Sequence, residues 1–365
     1  MSVELRQGDE EAFFAAPFHA YSRDTGYVSP MRGDVRRMLD PRANPLWSAG
    51  NPYAFWTVHR GGRPVGRIVA HVHHQSNAAH GTRRAQFGFF DCADDDEAAA
   101  ALLRAAEGFA RAHGLTELVG NFNLTAMQQC GVMTDGFGAR AYTDMVVGAP
   151  HIPRLLTANG FAPFFPMRTF ELDLAAARID GLRVLGGDDG FRFAPIEKAS
   201  FAERMEEARI VLNDGFADNP MFVPLTAEEF RFQAGEMMSI LDPRLSSVLL
   251  HDGQPVGTVV CIPDLNGLLA ATGSRIRWTT PFHYLRYRLR RRRAVIIFYS
   301  VVQAMHGQGV MGGMLARTVT ALRDAGYRRL GITWIADVNA ASLRQMERIG
   351  AQPLHRLHLF RKTLA

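Results

Sequence analysis

Two halves of this chain repeat one another in the same order, and that duplication limits the fold more than any other feature. Residues Gly61 to Ala70, GGRPVGRIVA, match Asp252 to Cys261, DGQPVGTVVC, 191 positions later. Both read as a turn followed by a β-strand entered through Pro-Val-Gly. Upstream, Leu39-Asp40-Pro41-Arg42 recurs as Leu241-Asp242-Pro243-Arg244, and Tyr27-Val28 followed by Pro30 resembles Phe222-Val223-Pro224. Downstream, Gly160-Phe161-Ala162-Pro163 lines up with Gly350-Ala351-Gln352-Pro353, each leading into an alternating strand, FFPMRTFEL or LHRLHLFRK. Between these matches, Ala112-His113-Gly114 and Ala325-Gly326 each close a helix, but they lie 212 rather than 191 positions apart. Each copy therefore carries an insertion of its own, NFNLTAMQQCGVMTDGF in the first and SRIRWTTPFHYLRYRLRRRR in the second, and there the copies should differ in function.

Each copy reads as N-terminal helices, antiparallel strands, a central strand, a helix, a strand, a helix and a final strand. That order predicts an α+β fold, a mixed and mostly antiparallel sheet flanked by helices, occurring twice. The stretch AAARIDGLRVLGGDD is rich in alanine, glycine and charge, so the expected domains are 1–175 and 176–365. A length of 365 residues with 47% hydrophobic residues suits two buried cores. The N-terminus carries early acids and no export signal, and no apolar run reaches the roughly 18 to 20 residues that span a bilayer. Cys92, Cys130 and Cys261 are odd in number and far apart, which excludes a disulfide framework and a CxxC metal site. A cytoplasmic protein is expected. His71, His73 and His74 have no cysteine or carboxylate at ligand spacing, and no metal is expected. The net charge is +5, but no acidic residue falls between Asp264 and Asp324, so this half should attract an anion.

The chemistry lies in that half. The β-branched and aromatic run Val295 to Val302 reads as a buried strand, followed by His306-Gly307-Gln308-Gly309, Gly312-Gly313 and a helix with apolar Met314, Leu315, Val319 and Leu322. A glycine-rich turn opening a helix offers backbone N–H groups and the positive dipole end to a phosphate, although many such turns bind nothing. The context resembles the GNAT superfamily: a strand, then Arg/Gln-x-x-Gly-x-Gly/Ala at a helix start, then a strand ending in Asn-x-x-Ala/Ser and a helix leading to glycine. Val301 stands five residues before His306, Gly309 matches the central loop glycine, Asn339 and Ser342 match the asparagine motif, and Gly350 matches the last glycine. Three positions depart from that pattern. His306 replaces Arg or Gln, Met311 replaces the last small residue, with Gly312 one step on, and Met346 stands where many members have a tyrosine that protonates the departing thiolate. A thioether donates no proton.

Over most of its length the chain also resembles a bacterial tandem-GNAT family that includes YghO-type proteins and bacterial ceramide synthases. The matching stretches are GRIVAHVHHQSNAAH, FGFFDCADDDEAAAALLRAAEGFARAHG, GNFNLTAMQQCGVMTDGF and NDGFADNPMFVPLTAEEF, with Gly120-Asn121-Phe122-Asn123 where Gly-Pro-x-Asn-Phe is usual. This resemblance implies N-acylation of a lipid-like amine by a long-chain acyl thioester, carried by CoA or an acyl-carrier protein. The motifs themselves imply an acyl-CoA. The expected binding residues are Val301, His306, Gly307, Gln308, Gly309, Gly312, Asn339 and Ser342. An amide of Val301 or Val302 should stabilise the oxyanion, with Asp337 as base. In copy one Asp91, Asp94, Asp95, Asp96 and Glu97 stand at the corresponding helix start, where they would repel a pyrophosphate. That copy is expected to be degenerate and to shape the acceptor pocket, through Asn123 and Asp135.

The copy-two insertion interleaves Trp278, Phe282, Tyr284, Tyr287 and Leu289 with arginines. This suits an acyl chain or the inner face of an anionic membrane, a solvated basic face beside the CoA phosphates, or, with no accompanying signature, nucleic acid. A small-molecule N-acetyltransferase and a non-catalytic acyl-CoA- or lipid-binding regulator are the alternatives.

Overall fold

A computed structural model describes residues 2–235 and 240–364. In chain order the strands are β1 (Val3–Gln7), β2 (Tyr53–Arg60), β3 (Arg63–Val72), β4 (Arg84–Cys92), β5 (Glu117–Gly120), β6 (Val132–Asp135), β7 (Ala162–Asp173), β8 (Phe191–Pro195), β9 (Ser247–His251), β10 (Gln254–Pro263), β11 (Arg293–Val301), β12 (Arg329–Ala336) and β13 (Gln352–Thr363). The helices are α1 (Glu10–Ala20), α2 (Arg32–Leu39), α3 (Pro45–Ser48), α4 (His74–His80), α5 (Asp96–Ala112), α6 (His151–Ala158), α7 (Phe201–Gly215), α8 (Ala227–Ala234), α9 (Asn266–Thr272), α10 (Thr280–Arg290), α11 (Val310–Asp324) and α12 (Ala340–Ile349).

The chain forms two compact units, and each has the expected α+β plan. The first comprises Met1–Arg168, Asn266–His283 and Leu354–Ala365; the second comprises Thr169–Leu265 and Tyr284–Pro353. These units do not follow the sequence division at residue 175. The last strand of the chain, β13, completes the first unit, where it pairs antiparallel with β5 and β6. Phe360 and Leu364 join that unit's core beside Phe87, Leu118 and Phe161. The end of β7 in turn completes the second unit. Phe170, Leu172 and Leu174 enter its core with Leu330 and Ile332, and Arg329 reaches Glu171 and Asp173 at 3.3 and 3.4 Å.

In the first unit the strand order is β1-β2-β3-β4-β5-β13. Side chains alternate across β3: Ile68 and Ala70 face the core built with α5, while Val69 faces Phe13, Phe14, Leu39 and Trp47 on the opposite side. The alanine-rich sequence of α5 favours helix, and Asp95 caps it by accepting from the Ala98 amide. In the second unit the order is β7-β12-β11-β10-β9-β8, with Met314, Leu315, Val319 and Leu322 of α11 packed into its core.

Both units contain the same fork. β4 and β5 run parallel through four residue pairs, from Arg84–Glu117 to Phe87–Gly120, and then pairing stops. β11 and β12 do the same from Arg293–Arg329 to Ile296–Ile332. In each unit a register shift against the preceding strand coincides with the parting, between Arg67 and Val69 opposite β4 and between Val260 and Cys261 opposite β11. Such a bulge bends its strand away from a neighbour and leaves backbone groups unpaired.

Candidate functional site

In the second unit the fork opens beside an uncapped helix. β11 ends at Val301, and after a short 3-10 turn the residues His306, Gly307, Gln308 and Gly309 lie exposed before α11. Gly307 and Gly309 have φ of 76° and 77°, in the left-handed region that glycine occupies without strain. No side chain caps α11, so its first turn presents backbone N–H groups at the positive end of the helix dipole.

Hydrogen bonding divides the two candidate oxyanion donors. The Val302 amide donates to the Val256 carbonyl on β10 at 2.9 Å, and so is already engaged. Amides alternate in direction along a strand, so that of Val301 points to the other edge, the one from which β12 has parted. At this end of β11, α7 lies close, since a Cβ on Gly215 would stand 2.4 Å from the Val301 carbonyl oxygen.

The remaining expected residues are placed as follows. Asn339 caps α12, its Oδ1 accepting from the Ser342 amide at 3.0 Å. Asp337 lies half-buried just beyond β12. Met346 is buried in the second unit's core and faces no solvent. The phenol nearest these elements is Tyr299 on β11, whose hydroxyl donates to the Met311 carbonyl and accepts from Gln345 Nε2 at 3.2 Å. Burial pushes that phenol well up, so it stays protonated at neutral pH.

Sequence reading missed Arg183. The segment expected to hold the domain boundary crosses the start of α11, where a Cβ on Gly313 would stand 2.6 Å from the Arg183 carbonyl and one on Gly309 would stand 3.7 Å from the Arg183 Cβ. The Arg183 guanidinium donates to the Gln308 carbonyl at 3.1 Å and lies over the Phe191 ring. A cation therefore stands beside the glycine turn, paired with Asp189 at 3.7 Å, although His306 occupies the motif's usual arginine position. Nothing in the local spacing of Arg183 signals this placement.

In the first unit the equivalent places are filled by the protein itself. Asp95 caps α5 and is held by two hydrogen bonds from Arg60, at 2.6 and 2.9 Å, which keep its carboxyl below the usual range. Arg154 pairs with Asp94 and Asp96 at 2.5 and 2.8 Å. The fork is closed as well: Phe122 donates to Phe87, while Asn121 and Asn123 accept from the Phe90 and Phe89 amides at 3.1 and 2.7 Å. A Cβ on Gly88 would stand 1.6 Å from the Phe122 carbonyl oxygen, so chain lies directly against β4.

Asn123 also accepts from Asn121 and donates to Gln129, which uses its amide within the fold rather than toward a ligand. The cavity that it lines with Tyr21, Tyr27, Arg67 and Asp91 measures about 40 Å³. That volume suits ordered water and is too small for a lipid headgroup. Asp135 is exposed and accepts from the Gly136 amide as a turn residue. Trp278, Phe282 and Tyr284 are 85%, 69% and 39% exposed. His71 and His73 are buried; desolvation lowers their pKa to about 3 and about 4, and His73 accepts from the Ser76 amide at the start of α4. Among the described residues no cluster of three or more His, Cys, Asp or Glu is placed to hold a metal, and no helix is long and apolar enough to cross a membrane.

Residues 216–351 match the Acetyltransferase (GNAT) family. Protein YghO of Escherichia coli (strain K12) is 26% identical, with 99% of this chain and 94% of that protein aligned. A bacterial ceramide synthase of Caulobacter vibrioides is 27% identical, over 96% of this chain and 94% of that protein. In fold the chain is similar to a tandem GNAT protein from the clavulanic acid biosynthesis pathway, with a TM-score of 0.62 at 15% identity over 100% of this chain and 99% of that one. A GCN5-related N-acetyltransferase from Sphaerobacter thermophilus gives a TM-score of 0.56 at 12% identity, over 99% and 96%. The forked strands, the glycine turn at a helix start and these matches agree: residues 216–351 form a domain of the Acetyltransferase (GNAT) family, and the chain has a tandem GNAT fold.

Proposed function

We propose that the chain is an acyl-CoA-dependent N-acyltransferase whose single cofactor site lies in the copy spanning 176–365, the copy spanning 1–175 being degenerate. The observation that carries this reading is the contrast between the two helix starts. α11 is uncapped and has no acid in its first turn, whereas α5 is capped by Asp95 beside a fork closed by Asn121 and Asn123. Pyrophosphate would rest on the turn from His306 to Gly309 and on Gly312, with Arg183 adding charge. Pantetheine would run along Val301 toward Asn339 and Ser342.

In this mechanism a neutral amine attacks the thioester carbonyl, the Val301 amide binds the oxyanion, and Asp337 receives the ammonium proton directly or through water. The C–N bond forms and the C–S bond breaks. CoA leaves as a thiolate, stable enough to need no acid from position 346. The relative named bacterial ceramide synthase supports a long-chain acyl group and a lipid-like amine.

The test is release of free CoA thiol from palmitoyl-CoA in the presence and absence of a long-chain amine. Amine-dependent release with formation of the amide is expected, and Asp337→Asn should lower kcat by about 10- to 1000-fold while leaving CoA affinity unchanged. CoA binding without any thiol release, with each of a panel of long-chain and small amines, would instead mark a non-catalytic binding protein.

A further inference from the structure

Helices on a protein surface normally turn their apolar stripe toward the core. α10 does the reverse. No residue of this helix is buried, and Phe282, Leu285 and Leu289, three and four positions apart and so on one face, are 69%, 58% and 75% exposed. Just before the helix, Ile276 and Trp278 are 84% and 85% exposed. At 100° per residue Arg286 and Arg290 flank the apolar stripe on one side and Arg288 on the other, all three exposed. The opposite face carries Tyr287, half-buried with its hydroxyl out of solvent.

The helix and its flanking segments carry charge of one sign, because residues 265–323 contain no aspartate or glutamate; the carboxylates that reach this region, Asp242 and Asp264, pair with Arg291 and Arg293 beyond the end of the helix. An apolar stripe with an exposed tryptophan and flanking arginines fits a bilayer interface, where the ring and aliphatic side chains enter the headgroup boundary and guanidinium groups meet phosphates. Nucleic acid would use the arginines but leave Phe282, Leu285 and Leu289 in water.

We propose that the outer face of α10, together with Trp278, is a docking surface for an anionic lipid bilayer. This inference rests on exposure and charge alone and stands apart from the assignment of the acyl-CoA site.

The test uses the full chain with vesicles of phosphatidylcholine, with and without phosphatidylglycerol. The protein should sediment with the anionic vesicles, and less so as salt rises. Lipids brominated along the acyl chain should quench tryptophan emission, and Trp278→Phe should remove most of that quenching, since Trp47 and Trp56 are buried and Trp334 is half-buried on β12. The double substitution Phe282→Ser with Leu289→Ser should weaken partitioning at least tenfold. Arg286→Gln with Arg290→Gln should weaken it about tenfold and flatten the salt dependence. These positions are exposed, and circular dichroism with an unchanged melting temperature will show that the variants fold. Equal sedimentation of the serine variant, or unquenched emission on bound vesicles, would overturn the proposal. So would burial of Trp278 by self-association without lipid, or tighter binding to duplex DNA than to vesicles.

Discussion

Replacing Gly309 with Glu is expected to abolish CoA binding. A carboxylate at that position would lie about 5 Å from a pyrophosphate seated on the first turn of α11. At an effective dielectric of about 20, each pair of like charges at that distance costs about 3 kcal/mol, more than a hundredfold in affinity. The backbone at Gly309 has φ of 77°, so any side chain there is also strained, and Gly309→Gln separates strain from charge. The Gln variant should retain measurable binding in a calorimetric titration, and the Glu variant should show none. In the same titration Arg183→Ala should lose about tenfold in affinity, and the loss should shrink as salt screens the phosphates. A folded Glu variant that binds CoA normally would show that the glycine turn does not hold the phosphates.

The second large effect concerns acyl length. If the donor is a long-chain thioester, kcat/KM should rise from acetyl- to palmitoyl-CoA by at least about a hundredfold with the same amine. Each buried methylene contributes about 0.8 kcal/mol, so three or four of the tail's methylenes suffice. Equal efficiency with acetyl-CoA would remove the lipid reading and leave a small-molecule N-acetyltransferase.

The glycine turn and its flanking elements were legible in the sequence because Val301, Gly309, Asn339 and Gly350 lie at fixed linear intervals, and β11, α11, β12 and α12 follow from them. Partner choice was not legible. β7 and β13 are both twelve-residue strands with alternating patterns, and alternation tells which face is buried but not which sheet a strand joins, so the exchange of final strands escaped the division at residue 175. Asn123 looked like a ligand contact because a polar insertion invites that reading, yet its amide closes the first unit's fork. Val302 could not be separated from Val301 without the register against β10, which shows the Val302 amide engaged by Val256. Arg183 lies more than a hundred residues before the turn that it touches, and no local pattern connects the two.

Hydrogen–deuterium exchange with and without CoA tests most directly whether one copy alone binds the cofactor. Saturating CoA should slow exchange at residues 301–313 and leave residues 89–98 unchanged. Protection at residues 89–98 with none at 301–313 would contradict the account, because the capped helix and closed fork of the first unit would then be the site.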